Sequence, residues 1–353
     1  MAGDFLRLAV WKSNNVAAPR NEWKDQVAKA TEIWVVTDGR AGNAAQALGL
    51  AEALARRRSA RITMKTVPLK RWAALVPAQV SHWLGASKKG WPFVGIAEDA
   101  SPLTWPWPDV IVSAGRRIAP VTAAIRKLYA VPVIHLLDPQ MSSTAFDAVI
   151  TPQHDALTGG NVLSSLGALN RQTRESVADA GKGWRCPVEG LTIPRLAVLI
   201  GGPSKSAQFT DADAHKLVMA LDALAGRFGL MITTSRRTPA ALIGKLKATL
   251  GGKAFVWSGP EDGANPYPGL LSSAVAILVT EDSVNMASEA ASTGKPVHVF
   301  PITSVATKLG RFHDALEAHG ASRRFRGEIA HWQYPPLAEA DRIAADLTRR
   351  GIV

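Results

Sequence analysis

Short apolar runs alternate with Gly- and Ser-rich loops along most of this chain, and Ala- and Leu-rich stretches of helical period lie between them. In the first half the runs at 33–36, 62–67, 110–112, 133–137 and 148–150 predict strands, being short and rich in Val and Ile. Helices are predicted from about 44 to 57 and from the 113–117 loop to about 129. The stretch 171–194 is polar and carries Gly181, Gly183, Pro187, Gly190 and Pro194, which marks a domain boundary. A second series then opens with a strand at 196–200. It continues through a helix near 211–227, a strand at 230–234, a helix near 240–250 and a strand at 255–257. Residues 337–350 predict a C-terminal helix. Strand–helix alternation of this kind builds a parallel sheet covered by helices on both faces. The expected fold class is therefore α/β, with two doubly wound, Rossmann-like domains facing a cleft. The expected divisions are an N-terminal arm (1–30), a first domain (31–180), a second domain (193–330) and a C-terminal helical segment (331–353).

The segment 280–301, T-E-D-S-V-N-M-A-S-E-A-A-S-T-G-K-P-V-H-V-F-P, concentrates the functional signal. An apolar run at 274–279 precedes it. Asp282 or Ser283 can then cap a helix that runs to about Thr293, where Gly294 ends it and Pro296 follows. Residues 297–300 form the next strand. A helix N-terminus thus falls at the carboxyl end of a parallel strand, where free N–H groups and the helix dipole favour an anion. Glu289, about two turns along, meets a sugar hydroxyl if a phosphate sits at the cap. The alternative is an ordinary strand–helix–strand unit with a well-capped helix.

Ligands of open parallel sheets bind outside the carboxyl ends of the strands, so the loops there carry the candidate chemistry. After 196–200 comes G-G-P-S-K-S, in which Gly202 permits close backbone approach while Ser204 and Lys205 can donate to phosphate oxygens. After 230–234 comes S-R-R-T-P, offering Ser235 and Arg236 to a diphosphate, with Thr238 read as the cap of the next helix. Of the adjacent arginines, Arg236 is expected to face the cleft. On the other side, the loops 38–43 and 113–117 bring Arg40, Asn43 and Arg116. Asp38 is either a general base or the Asx residue of the turn before Gly39. Asp138, ending the strand 133–137, is the other candidate base. His135 reads as a core histidine, and His154 and Asp155 as weaker cleft candidates. The sequence has no metal-ligand spacing, Walker motif, Rossmann glycine fingerprint or nucleophile elbow.

Composition narrows the class. At 353 residues, 47% hydrophobic and 20% charged, the chain is globular and long enough for two domains. Its net charge of +12 suits a phosphorylated substrate or an anionic membrane surface. No zinc-finger spacing, RNA-binding signature or Lys/Arg block points to nucleic acid. The single cysteine, Cys186, fits a reducing compartment. No apolar run approaches the roughly 18 residues that span a bilayer, so a cytoplasmic protein is expected. Between 71 and 107, Trp72, Trp83, Trp91, Phe93, Trp105 and Trp107 mix with Lys70, Arg71, Lys88 and Lys89. Indoles beside cations suit a headgroup region or a groove for a lipid-linked acceptor, and some of these rings serve equally as core. Nothing in the sequence sets the oligomeric state.

Taken in order, W-V-V-T-D-G-R-A-G-N, S-A-G-R-R, H-L-L-D-P, D-A-V-I-T-P, G-G-P-S-K, T-T-S-R-R-T-P and the 280–297 motif resemble the mitochondrial fission family of plants and alphaproteobacteria. The resemblance covers about 32–335. Bacterial members have carried the label of nucleoside-diphosphate-sugar epimerases. Separately, Ser288, Glu289, Gly294, Pro296 and Pro301 match the donor segment of GT-B glycosyltransferases, including the lipid-linked N-acetylglucosaminyltransferase of peptidoglycan synthesis. That similarity implies a GT-B fold and a nucleotide sugar as substrate rather than cofactor. It further implies Glu289 on the ribose hydroxyls, and Ser283, Val284 and Asn285 at the diphosphate. The chain departs from the pattern in having Ser283 where glycine is usual, preceded by Glu281 and Asp282, which would repel a diphosphate unless a cation offsets them. The expected activity is metal-independent glycosyl transfer to a membrane-associated or lipid-linked acceptor, with the protein peripheral on the inner membrane face. The alternatives are a nucleotide-sugar 2-epimerase and a non-catalytic membrane adaptor.

Overall fold

The computed structural model describes residues 30–188, 190–191 and 193–353, so the arm expected over 1–30 lies, apart from Ala30, outside the described residues. The first domain is a six-stranded sheet of β1 (Thr31–Thr37), β2 (Ala60–Thr66), β3 (Val110–Ala114), β4 (Val133–Leu136), β5 (Ala148–Pro152) and β6 (Val162–Ser165). Their order is β2-β1-β3-β4-β5-β6, parallel throughout. Strands β3, β4 and β5 are buried along their whole length, which is why they read as unbroken apolar runs. Helices α1 (Ala41–Arg57), α2 (Ala78–Trp83) and α3 (Ala119–Tyr129) belong with this sheet, followed in the chain by α4 (Arg174–Gly181), whose Val177 packs into the core of the second domain. The last lies inside the stretch expected to be an irregular boundary. It has a Thr173–Ser176 capping box and only Val177 buried, so its apolar signal is slight.

The second sheet contains β7 (Arg195–Ile200), β9 (Gly229–Thr234), β10 (Ala254–Trp257), β11 (Ala276–Thr280), β12 (Val297–Phe300) and β14 (Ser322–Arg324), while β8 (Ala207–Gln208) and β13 (Ser304–Val305) form a small antiparallel ladder. The order β10-β9-β7-β11-β12-β14 is again all parallel. Its helices are α5 (Asp211–Ala225), α6 (Ala240–Leu250), α7 (Tyr267–Ser273), α8 (Val284–Ser292) and α9 (Thr307–Ala318). The final helix, α10 (Glu339–Arg349), crosses back and buries Ile343, Ala344 and Leu347 with Leu50, Ala51 and Leu54 of α1, in the core of the first domain. Glu339 fastens this return by accepting the Leu166 N–H at 2.7 Å.

The domains also meet along α8. Gly49 of α1 lies so close to the Asn170 backbone that any Cβ there would overlap it, which presses the 167–170 loop inward. From that loop the Ala168 N–H donates to Ser288 Oγ (3.0 Å) and Asn170 Nδ2 donates to Ser292 Oγ (3.2 Å). The carboxyl ends of both sheets therefore converge on one cleft, with the N-terminus of α8 in its wall.

Candidate functional site

The cleft encloses about 610 Å³. Of the residues expected at the site, Arg40, Asn43, Arg116, Asp138, Ser204, Ser283 and Asn285 line it, joined by Gln46, Gln140, His154, Asp155, Ser206, Arg237, Asp282, Val284 and Lys308. Ser283 caps α8, its Oγ accepting the Met286 N–H at 3.4 Å. Val284 and Asn285 open the helix, where the first N–H groups have no intrahelical acceptor. Gln46 Nε2 of α1 reaches Asn285 Oδ1 at 3.5 Å across the cleft, so the start of α8 is held from both sides.

The acidic pair before this helix turns inward. The Asp282 carboxylate is fully buried and accepts from Gly202 N (2.8 Å), Thr280 Oγ1 (2.7 Å) and Arg237 Nη2 (2.8 Å). Gly201 must be glycine here, since a Cβ would overlap that carboxylate. Glu281 points the other way, accepting the Ile302 N–H at 3.0 Å and facing Arg324 at 3.6 Å. The cation required to offset Asp282 is thus supplied by the protein itself.

Several expected site residues are not brought to the cleft. Arg237, rather than Arg236, occupies the wall: its Nη1 donates to Gly202 O at 2.5 Å while Nη2 holds Asp282. Ser235 is spent within the turn, its Oγ accepting the Arg237 N–H (3.1 Å) and its N–H donating to Thr238 Oγ1 (2.9 Å). Thr238 does not cap α6, which begins after Pro239 without a side-chain cap. It donates back to Gly201 O instead, tying the loop to the end of β7. Gly202 acts through its backbone behind the surface, and Lys205 is exposed outside the lining. Asp38 is turned into its own loop, 3.4 Å from Arg40 and within 3.5 Å of Asn43 Nδ2, with the Arg40 N–H donating to it, which is the Asx arrangement. Asp138 is exposed in the cleft, with Gln140 N–H on its Oδ1 at 2.8 Å.

Glu289 departs furthest from expectation. On α8 it stands about 100° round from Ser288, and its Oε2 accepts the Tyr267 hydroxyl at 2.5 Å, away from the cleft lining. Burial pushes its carboxyl above the usual range, and burial, with the Glu289 charge next, pushes the Tyr267 phenol well above its own.

His154, a weaker candidate in the sequence, and Lys308, which the sequence does not single out, take prominent places. His154 has a side chain only 8% exposed, an Nδ1 without a partner, and the Phe312 ring at 5.7 Å. Burial lowers its pKa, with Asp155 opposing and Lys308 and Arg311 adding, so it is neutral at pH 7. Lys308 of α9 lies 3.7 Å from Asp155, and Arg311 Nη2 donates to His154 O at 2.9 Å. No helix is predicted there from the sequence, although the apolar spacing Leu309, Phe312, Leu316 is a signal that could reveal it. His135 is core, as expected: its Nδ1 meets Ser113 Oγ at 2.9 Å, it stacks on Phe146, and burial drops its pKa to about 3. Among the described residues, no three His, Cys, Asp or Glu side chains gather as a metal site.

Two parallel α/β domains, a cleft between the carboxyl ends of their strands and a terminal helix returning to the first domain define the GT-B architecture. Among solved structures, a candidate UDP-N-acetylglucosamine 2-epimerase from Listeria monocytogenes shares the fold, with a TM-score of 0.50 at 13% identity over 91% of this chain and 97% of that one. The family model "Mitochondrial fission ELM1" matches residues 41–350, and the chain belongs to that family. Mitochondrial fission protein ELM1 of Arabidopsis thaliana is 32% identical over 279 aligned residues, which take in 69% of this chain and 65% of the plant protein. An uncharacterised protein of Rickettsia prowazekii is 28% identical, covering 88% of this chain and 96% of its own length.

Proposed function

We propose that the protein is a GT-B glycosyltransferase that takes a sugar from a nucleotide diphosphate donor and passes it to a membrane-associated or lipid-linked acceptor. The observation that carries this reading is the N-terminus of α8, opening at Ser283, Val284 and Asn285 into a cleft that also holds Ser204, Arg237 and Lys308. These groups suit a diphosphate: the helix start offers backbone N–H donors, while Arg237 and Lys308, which share the wall with Asp282 and Asp155, add positive charge. An acceptor hydroxyl attacks the anomeric carbon, the bond from that carbon to the diphosphate oxygen breaks, and the hydroxyl proton passes to a carboxylate. Asp138, exposed in the cleft, is better suited to that role than Asp38, whose oxygens are engaged by Arg40 and Asn43. Arg40, Asn43 and Arg116 line the acceptor side.

Among the described residues no helix is long and apolar enough to cross a membrane. Trp105 and Leu75, each 82% exposed in the segment carrying Lys70, Arg71, Lys88 and Lys89, support peripheral attachment from the cytoplasmic side. One observation favours the non-catalytic adaptor: the Glu289–Tyr267 bond removes from the cleft the carboxylate expected on the ribose. A thermal-shift series with uridine, cytidine, guanosine and adenosine nucleotides and their sugars separates the two. A true donor stabilises by about 2.7 kcal/mol at a hundredfold excess over Kd, and no shift with any of them leaves the adaptor. An epimer formed from a nucleotide sugar incubated alone marks the 2-epimerase instead.

A further inference from the structure

A second concavity of about 390 Å³ opens beside the main cleft, and Arg116 and Gln140 line both. Its walls are otherwise largely apolar: Leu69, Ala74, Leu75 and Val76 from the chain between β2 and β3, facing Pro120 and Val121 of α3. That chain is a built wall. Leu69 bridges Ile96, Lys70 N–H donates to Gly95 O (2.9 Å), Ala97 N–H donates to Pro68 O (2.9 Å), and a Cβ on Gly95 would press into Ala73. The end that joins the cleft is cationic. Arg116 lies at that junction, the adjacent Arg117 also lines the groove, both are exposed, and neither is paired with a carboxylate among the described residues. Leu75 of the lining is 82% exposed, and the same stretch of chain also exposes Trp72 (51%) and Val80 (46%).

We propose that this groove holds the hydrocarbon chain of a phosphate-headed lipid, whose head group lies at Arg116 and Arg117 and enters the main cleft. This rests on the transferase reading only in making that lipid the acceptor; the groove itself stands on its own geometry. A guanidinium pair at one end fits a phosphate by charge and by bidentate hydrogen bonding. The remainder, apolar apart from Ser81 and the Trp91 indole N–H, fits a hydrocarbon chain, and its open flank lets the chain arrive from a bilayer. The bare apolar flank alone would suit any greasy partner. The continuity of the groove with the cleft through Arg116 selects a ligand with both parts.

Calorimetry on the full chain with hexyl, octyl and decyl phosphate, each below its micellar concentration, tests this. Affinity should rise by about fourfold for each methylene buried until the groove is full. Decanol and inorganic phosphate should each bind at least tenfold more weakly than decyl phosphate. Ala74→Phe, which fills the groove, should abolish the dependence on chain length, and Arg117→Glu on the exposed rim should weaken every alkyl phosphate about tenfold. Should Ala74→Phe fail to fold, Arg117→Glu and the decanol comparison still decide. A flat chain-length series, decanol binding as tightly as decyl phosphate, or an Arg117→Glu protein with unchanged affinity overturns the proposal. Affinity that follows chain length yet ignores Ala74→Phe is surface adsorption and overturns it too. A parallel nucleotide titration keeps the readings apart: nucleotides without alkyl phosphates sink the groove alone, and the reverse sinks the donor site alone.

Discussion

Replacing Asp282 tests whether the acid beside the cleft is a structural clamp or a source of repulsion. Its carboxylate is fully buried and accepts three hydrogen bonds, from Gly202 N, Thr280 Oγ1 and Arg237 Nη2. Asp282→Ala leaves the Gly202 N–H and the Thr280 hydroxyl without their acceptor, at about 1–3 kcal/mol for each buried group stranded. The Arg237 side chain is 38% exposed, so water takes over part of its lost pairing and that contribution is discounted to about 1 kcal/mol. The expected total is about 3–7 kcal/mol, overlapping the roughly 3–5 kcal/mol typical of breaking a buried pair from one side. Asp282→Asn keeps one acceptor oxygen and should cost about half as much. Urea unfolding of both variants, with Arg237→Ala and the double variant closing a cycle, gives the coupling directly. The same proteins titrated with a nucleotide diphosphate should bind no better than wild type, because Arg237 and the Gly201–Gly202 loop lose their anchor. A cost below about 1 kcal/mol for Asp282→Ala, or tighter nucleotide binding by Asp282→Asn, would refute the clamp.

Three further outcomes are expected. Burial raises the Glu289 carboxyl in the folded state, so its contribution is fully present below the ordinary value of 4.5 and is lost as pH rises through the folded value. Glu289→Gln should therefore gain on wild type at pH 7 relative to pH 4, and a difference in unfolding free energy that is flat over that span rejects the assignment. His135 shifts the opposite way for a base, from 6.5 to about 3, so its stabilisation is present above 6.5 and drains as pH falls toward 3. His135→Gln should flatten acid unfolding by up to about 1.4 kcal/mol per pH unit in that window, and an unchanged slope counts against it. Finally, Lys308→Ala should weaken nucleotide diphosphate binding about tenfold, the scale of one charge-assisted contact, whereas Arg236→Ala should leave it unchanged. The reverse ranking in a titration would return the site to Arg236.

The elements around the donor segment were legible because each is short, local and strongly punctuated. The strand ending at Thr280, the Ser283 cap, the helix stop at Gly294 and the strand at 297–300 all follow from residues within a few positions of one another. Elements without an apolar pattern escaped. β14 reads Ser-Arg-Arg and is a strand only because β12 lies beside it, and α4 buries a single residue. Within the site, the family of loops was readable but the aim of single side chains was not. Arg236 and Arg237 are chemically equal in the sequence, and their turn, fixed by Ser235 and Thr238 hydrogen bonds, decides which faces inward. The acidity of Asp282 looked adverse because its compensating partners lie 45 and 80 residues away along the chain. Glu289 is similar: its partner Tyr267, 22 residues earlier, opens α7, a helix with no periodic signal long enough to announce it.

The return of α10 has a consequence for how the molecule is made. Ile343, Ala344 and Leu347 close the core that Leu50, Ala51 and Leu54 began, whereas the core of the second domain is complete by Leu337. During synthesis the first domain emerges early yet stays unsealed until residues 343–347 have left the ribosome, while the second domain can already pack. A stop between Leu337 and Ile343 would therefore spare the core of the second domain and open the one built first. The half that starts earliest is the last to be closed.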